Sequence, residues 1–256
     1  MAPNMKISFI TTCFILASFS ASYAQPTLTA AYNNPVPGDV FIGNNCDTAG
    51  VSMGPAGPAL TWNFSFLSTL FMDTTGYMTC MSSPYCDSFS GSNLARYSSG
   101  NTYDYFVAST GSLSILGEYY SGVYAYATDP EDFMFYPATY LSAHKDSFQA
   151  HTTYSGITDY ISGTDSFYCD AWGTLTLPSG TFTNTLRIHH ISIIKDSANY
   201  FGTPSVTISQ TENYSWYDSG FHSPLLSLDY DTAGSTSLYL SNVEYYAFHL
   251  PLATAH

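Results

Sequence analysis

The stretch Ser205-Val-Thr-Ile-Ser-Gln-Thr-Glu-Asn-Tyr-Ser-Trp-Tyr217 alternates with a period of two. Val206, Ile208, Tyr214 and Trp216 fall on one face, and Ser205, Thr207, Ser209, Thr211, Asn213 and Ser215 on the other. Successive side chains of a strand point to opposite faces, so this segment predicts a β-strand with one apolar and one wet face. No long segment carries helical spacing. Short runs of β-branched and aromatic residues recur instead, cut by Gly, Pro, Asn, Asp and Ser. Residues 172–188 predict a hairpin, with Pro178 pre-setting its turn and Gly180 free to take a positive φ. Further strands are expected near residues 27–33, 38–43, 59–65, 102–108, 112–120, 123–128, 146–154, 221–230 and 236–248. Many short strands with frequent turns argue for an all-β fold, a β-sandwich of jelly-roll type with mostly antiparallel strands. Residues 25–256 suffice for one such domain, since all-β domains run to roughly 200–250 residues. A composition change near residues 162–165 admits a subdomain break.

Residues 1–24 have the form of a signal peptide. Lys6 precedes an apolar core over residues 7–19, and Ser22-Tyr-Ala24 offers small residues where a signal peptidase reads. The core is too short for a stable anchor, and no other apolar run is long enough to span a bilayer, so a mature protein without a transmembrane segment is expected. Once Lys6 leaves, Arg96, Lys145, Arg187 and Lys195 face nineteen acidic residues. That balance disfavours phosphate backbones and anionic lipid, hence nucleic acid and membrane-surface partners. Charged residues are only 9% of the chain, so Ser, Thr, Asn and Tyr supply most of the polarity, as suits an extracellular β protein. Four cysteines remain after the leader: Cys46, Cys80, Cys86 and Cys169. An even number in an exported chain points to disulfides. Cys80 and Cys86 bracket a short loop and are expected to pair, which leaves Cys46 with Cys169. No Cys-x-x-Cys spacing favours zinc.

Several motifs admit chemistry. Asp47-Thr-Ala-Gly50 returns at Asp231-Thr-Ala-Gly234, which raises the paired aspartates of an acid protease. That chemistry needs Gly directly after Asp-Thr, and Ala49 and Ala233 stand there instead, so surface turns are the expectation. No Gly-x-Ser-x-Gly elbow is present. Adjacent His189 and His190 point to opposite faces of a strand. The apolar phase slips here, from Leu186 and Ile188 to Ile191 and Ile193, which a β-bulge near His189 would explain. Asp129-Pro-Glu-Asp132 is expected to be a solvated turn; Asp129, Glu131 and Asp132 are the calcium candidates and, alternatively, glycosidase carboxylates. No other cofactor is expected. With 23 Tyr, aromatic clusters at Tyr103, Tyr105, Tyr119, Tyr120, Tyr124 and Tyr126 are the ligand-binding candidates, able to stack on sugar rings if exposed and otherwise half-buried strand residues.

Several segments together resemble secreted proteins of Bacteroidota. They are Pro37-Gly-Asp39 with Cys46-Asp-Thr-Ala-Gly50, residues 57–65, Asp104-Tyr-Phe-Val-Ala-Ser109, Asp129-Pro-Glu-Asp132 with Phe135-Tyr-Pro137, and residues 173–187. The resemblance implies an exported β-rich ectodomain and transfers no catalytic residue. Such proteins often carry a C-terminal type IX sorting domain, which is not seen before His256. Bacteria of this kind glycosylate Ser or Thr within Asp-Ser/Thr-small tripeptides, which makes Thr48, Thr74, Ser197 and Thr232 glycosylation candidates. The expected function is a secreted or surface binding, adhesion or structural module for a glycan or an extracellular protein, with the periplasm as the other location. A jelly-roll hydrolase is the alternative.

Overall fold

The computed structural model of the protein describes residues 25–155, 157–200, 203–232 and 237–249. Residues 1–24, expected to be a signal peptide, Ala233-Gly234 of the second tetrapeptide and His256 lie outside them. The chain is almost wholly strand. A two-residue β1 (Thr27–Leu28) and a single helical turn α1 (Ala30–Asn33) occupy the region expected to be one strand. Then follow β2 (Val40–Cys46), β3 (Gly57–Asn63), β4 (Thr69–Thr79), β5 (Leu94–Ser98), β6 (Thr102–Ala108), β7 (Ser112–Tyr120) and β8 (Val123–Phe135). After β9 (Ala138–Thr139) come β10 (Ala143–Tyr154), β11 (Ile157–Leu177), β12 (Gly180–Tyr200), β13 (Thr203–Asp218), β14 (Leu226–Asp231) and β15 (Tyr239–His249).

Twelve of these strands pair in the order β2, β4, β5, β6, β7, β8, β10, β11, β12, β13, β14 and β15, and β15 pairs back onto β2. Every junction in the ring is antiparallel. The fold is therefore a closed 12-strand up-and-down β-barrel, and the expected sandwich or jelly roll is corrected. A sandwich needs two facing sheets joined by crossovers; here nearly every strand hydrogen-bonds its neighbour in sequence, and the last closes on the first. Residues 162–165 lie inside β11, between β10 and β12, with no break in the wall. Their composition has a local cause: a Cβ on Gly163 would collide with the Phe148 ring.

The alternation in β13 is present, but its sense is inverted. Asn213, Ser215 and Tyr217 line the barrel lumen, whereas Val206, Ile208, Tyr214 and Trp216 point outwards. Two excursions cover part of the outer apolar face. Residues 47–68, which include β3, lay Trp62, Phe64 and Leu67 over Trp216, Leu226, Leu228, Val243 and Tyr245. Trp216 is edge-on to both Trp62 and Phe64, at centroid distances of 5.8 and 5.6 Å. Burying each such side chain contributes about 1.5–3 kcal/mol. β3 holds this cover by a parallel pairing to residues 171–176 of β11, along the edge that β10 has vacated. Gly173 permits it, because a Cβ there would strike the Leu60 backbone. Arg187, fully buried at the same place, forks onto Asp170 with two 2.8 Å hydrogen bonds and donates to the Met53 carbonyl. The second cover, residues 80–92, is clamped by the Cys80–Cys86 disulfide and packs Phe89 on Tyr105.

A ring of eight strands is just filled by its own side chains, and larger rings leave space. Twelve strands enclose more than the wall residues fill. The segment before β2 takes up part of that space at one end. Asn33 donates to the carbonyls of Asp218 and Phe221, Asn34 donates to Ser109, and Asp39 meets His222 at 2.8 Å. Leu28, Phe106, Leu113, Met134, Phe135 and Leu186 pack at this closed end.

Candidate functional site

What remains inside the barrel is a cavity of about 340 Å³. Its walls come from strands around the whole ring: Phe41, Tyr77, Arg96, Glu131, Phe133, Phe167, His190, Asn213, Tyr217, Asp229, Glu244 and Tyr246 all face it. Arg96 is the only lysine or arginine among the lining residues. It is already neutralised, with Nε 2.6 Å from Asp104 Oδ2 and the guanidinium stacked 5.4 Å from the centroids of Phe106 and Phe133. The unmatched charge in the cavity is therefore acidic.

Three acidic groups define it. Glu131 projects from β8; burial, then the charges of Asp165 and Asp146, push its carboxyl up to about 7. Glu244 projects from β15 and hydrogen-bonds the Asp73 carboxyl across β2; burial first, then Asp73, push Glu244 up to about 7 as well. Gly43 on β2 makes this pair feasible, since a Cβ would collide with Glu244 Oε1 and Asp73 Oδ1. Tyr246 donates its hydroxyl to Glu244 at 3.1 Å, and the Asn45 side chain donates to Asp73 at 3.3 Å. The third group, Asp229, accepts from Asn213 at 2.6 Å and from Asn242 at 3.1 Å. Beside Glu131, His190 Nε2 lies 2.9 Å from Asp165 Oδ1, and its ring stacks on Phe167 at 4.2 Å.

The residues singled out from sequence are dispersed. Tyr103, Tyr105, Tyr119, Tyr124 and Tyr126 face outwards but lie under the 80–92 cover, packed with Tyr85 and Phe89 into a satellite core. Tyr105 is fully buried, and Tyr120 alone of the six is exposed. They form a packed cluster rather than an open stacking face, because the disulfide-clamped segment takes the place a ligand would have. Asp129-Pro-Glu-Asp132 is strand, not turn. Pro130 has no ladder partner, so its missing N–H costs nothing there. Asp129 is exposed, Glu131 faces the cavity, and Asp132 accepts from Ser114 at 2.6 Å and meets His144 at 2.8 Å. Among the described residues no group of three or more His, Cys, Asp or Glu is placed to hold a metal ion.

Cys80 and Cys86 form the expected disulfide, but Cys46 and Cys169 are both free thiols. Cys46 sits under the outer cover and Cys169 in the interior cluster, so the barrel wall separates them and the expected second bridge is corrected. Burial raises both thiols, Cys169 to about 12, which leaves it protonated and inert. His189 and His190 do face opposite ways. His189 meets Glu212 at 2.9 Å outside, and His190 faces the lumen. The bulge expected near His189 is instead on the partner strand at Asp170, where pairing skips from Cys169 to Ala171. The apolar phase changes because the lumen turns polar at His190 and Ser192, while Ile193 lies exposed outside.

Asp47-Thr-Ala-Gly50 is a turn: Asp47 Oδ1 accepts from the Ala49 N–H at 3.0 Å, and Gly50 has a φ of 75°. Thr48 in it is half-buried. Thr74 is exposed on β4 and Ser197 half-buried on β12. The Thr232 hydroxyl is occupied by both backbone groups of Gln210. The lumen residues Arg96, Asp165, Ser192, Asp229 and Glu244 were not singled out from sequence. The polar alternation of β13 marks a wet face, and Asn213 and Ser215 on it face the lumen rather than solvent; Arg96 on β5 and Asp165 on β11 stand outside that pattern.

No protein-family model, curated protein or solved structure matches this chain. No helix among the described residues is long and apolar enough to cross a membrane, which leaves strands untested.

Proposed function

We propose that this protein is an exported binding module whose ligand is a small, hydrogen-bonding molecule of the glycan class, held inside the barrel. The observation that carries this reading is the cavity of about 340 Å³ inside the barrel, lined by acidic, amide, hydroxyl and aromatic side chains. Small-molecule sites are concave spaces of roughly 300–1,000 Å³ with a few convergent polar groups. A cavity of that size suits one or two sugar rings and excludes a folded protein partner. Aromatic rings such as Tyr77, Phe167 and Tyr217 supply faces for apolar ring surfaces, and the carboxylates and amides supply acceptors and donors for hydroxyls. The signal peptide, the disulfide and the resemblance to secreted Bacteroidota proteins support a secreted or surface location, with the periplasm as the alternative.

The test is a thermal-shift and calorimetric screen of mature protein against mono- and disaccharides. Saturable one-to-one binding, weakened by Tyr217→Ala or Asn213→Ala, is the expected result. No binding across the series, or binding that survives both substitutions, contradicts it.

One observation favours a second reading, a hydrolase. Glu131 and Glu244 line the same cavity, and both are held near pH 7, the condition a general acid requires. Turnover of an aryl glycoside that disappears in both Glu131→Gln and Glu244→Gln would establish it. Binding without turnover would remove it.

A further inference from the structure

Beyond the lining residues, one rung of the lumen holds polar groups that the fold leaves unsatisfied. Asp165 on β11 lies directly opposite Asp146 on β10 and Ser192 on β12. Residues directly paired across strands present their side chains to one face. Phe167 and His190, each two residues along from this rung, line the cavity, so the rung faces the lumen too. Asp165 is wholly buried and Ser192 nearly so, at 4% exposure. Asp165 spends one oxygen on His190, but Asp165 Oδ2 and Ser192 Oγ have no hydrogen-bond partner. Leaving such buried groups unpaired is costly, more so for a charged one, so two side by side ask for an explanation. Towards the other side, Phe148 packs into the space left by Gly163 and seals the rung.

We propose that this rung is the polar end of the ligand site and takes a protonated primary amine. The inference rests on the cavity being a ligand site and names the ligand's class. An ammonium group has three donors and no acceptor, which matches Asp165 Oδ2, Ser192 Oγ and the neighbouring Glu131 carboxylate. Charge points the same way. The charges of Asp146 and Asp165 bear on Glu131, while the nearby cations are taken: His190 meets Asp165, His144 meets Asp132, and Arg96 is committed to Asp104. His190 meets only one oxygen of Asp165, and an ammonium would bring a cation to the other, which a neutral hydroxyl would not. The Phe167 ring flanks the same spot and offers a face to a cation or to the carbon frame of the ligand. Amino sugars and short alkyl amines share this chemistry.

Isothermal titration calorimetry at pH 7 with glucosamine and putrescine, against glucose and 1,4-butanediol as their neutral counterparts, tests it. The amine of at least one pair is expected to bind ten-fold or more tighter than its counterpart; the pair that responds identifies an amino sugar or an alkyl amine. Ser192→Ala removes an acceptor without changing charge or cutting a hydrogen bond, and it is expected to weaken amine binding several-fold at an unchanged melting temperature. Asp165→Asn is expected to abolish the preference for the amine. Equal binding of amine and neutral partner, or a full preference retained in both variants, overturns the amine assignment while leaving the cavity a binding site. Calcium binding that displaces the amine and is lost in Asp165→Asn would reassign the rung to a cation. Failure of all four probes together with the whole saccharide series would overturn the binding reading itself.

Discussion

Glu131 gives the lumen a measurable pH signature. Its carboxyl has an ordinary value of 4.5 and is pushed to about 7 by burial and by the charges of Asp165 and Asp146. Between those values the folded chain keeps a proton that the unfolded chain has released. Its contribution to stability is therefore complete below pH 4.5 and is lost as the pH rises through 7. At about 1.4 kcal/mol per pH unit, the gap corresponds to roughly 3 kcal/mol. Glu131→Gln keeps the shape and the hydrogen-bonding capacity but carries no titratable proton. Urea midpoints of the two proteins, measured from pH 4.5 to 8, should converge at the acid end and separate towards pH 8, where the variant is the more stable by about that amount. Glu244, Asp159, Asp146 and Glu118 are raised in the same direction and stay in both proteins, so the difference between the curves isolates Glu131. Parallel curves over the whole range would refute a buried, protonated Glu131 and with it the acidic lumen.

Three further outcomes follow from the packing and the site. Arg187→Ala should cost about 3–5 kcal/mol, because it strands Asp170 under the 47–68 cover, and Arg187→Lys should not restore the two-pronged contact; denaturant melts check both. Gly173→Ala should force β3 away from β11 and expose residues 54–57 to limited proteolysis, with a loss of about 1–3 kcal/mol. Putrescine binding should tighten from pH 5.5 to 8 as Glu131 ionises against Asp146 on β10, Asp165 on β11 and His190 on β12, whereas the wall from β7 offers only Ile115 opposite it; calorimetry across that range reads the change.

Much of the fold was legible residue by residue. The β13 alternation, the hairpin at Pro178-Ser179 before Gly180 with its φ of 148°, and the Cys80–Cys86 loop all lie where local chemistry puts them. Local chemistry does not say which side of a strand is inside. A wet face suggests water because most cores are dry, and here the wet face of β13 lines the lumen, while the 47–68 cover hides Tyr214 and Trp216 and leaves Val206 and Ile208 exposed. Ring closure was equally hidden, since it depends on β15 meeting β2 about two hundred residues away in sequence. β4 was missed because Leu70, Phe71 and Met72 run together without alternation; they lie exposed at the start of the strand. Glu131 was noticed only as part of an acidic turn, because Pro130 beside it signals a break that an unpaired strand position absorbs. Asp165 and Ser192 carried no signal, as a lone Asp and a lone Ser acquire meaning only when β11 and β12 bring them opposite each other.

A crystal structure of the mature protein grown with glucosamine or putrescine would show both the ring and what its lumen holds. A closed ring of twelve strands is expected, with the ligand inside it and its nitrogen among Glu131, Asp165 and Ser192. A ligand bound only on the outer face, or a lumen filled by rearranged side chains with no room for one, would contradict it.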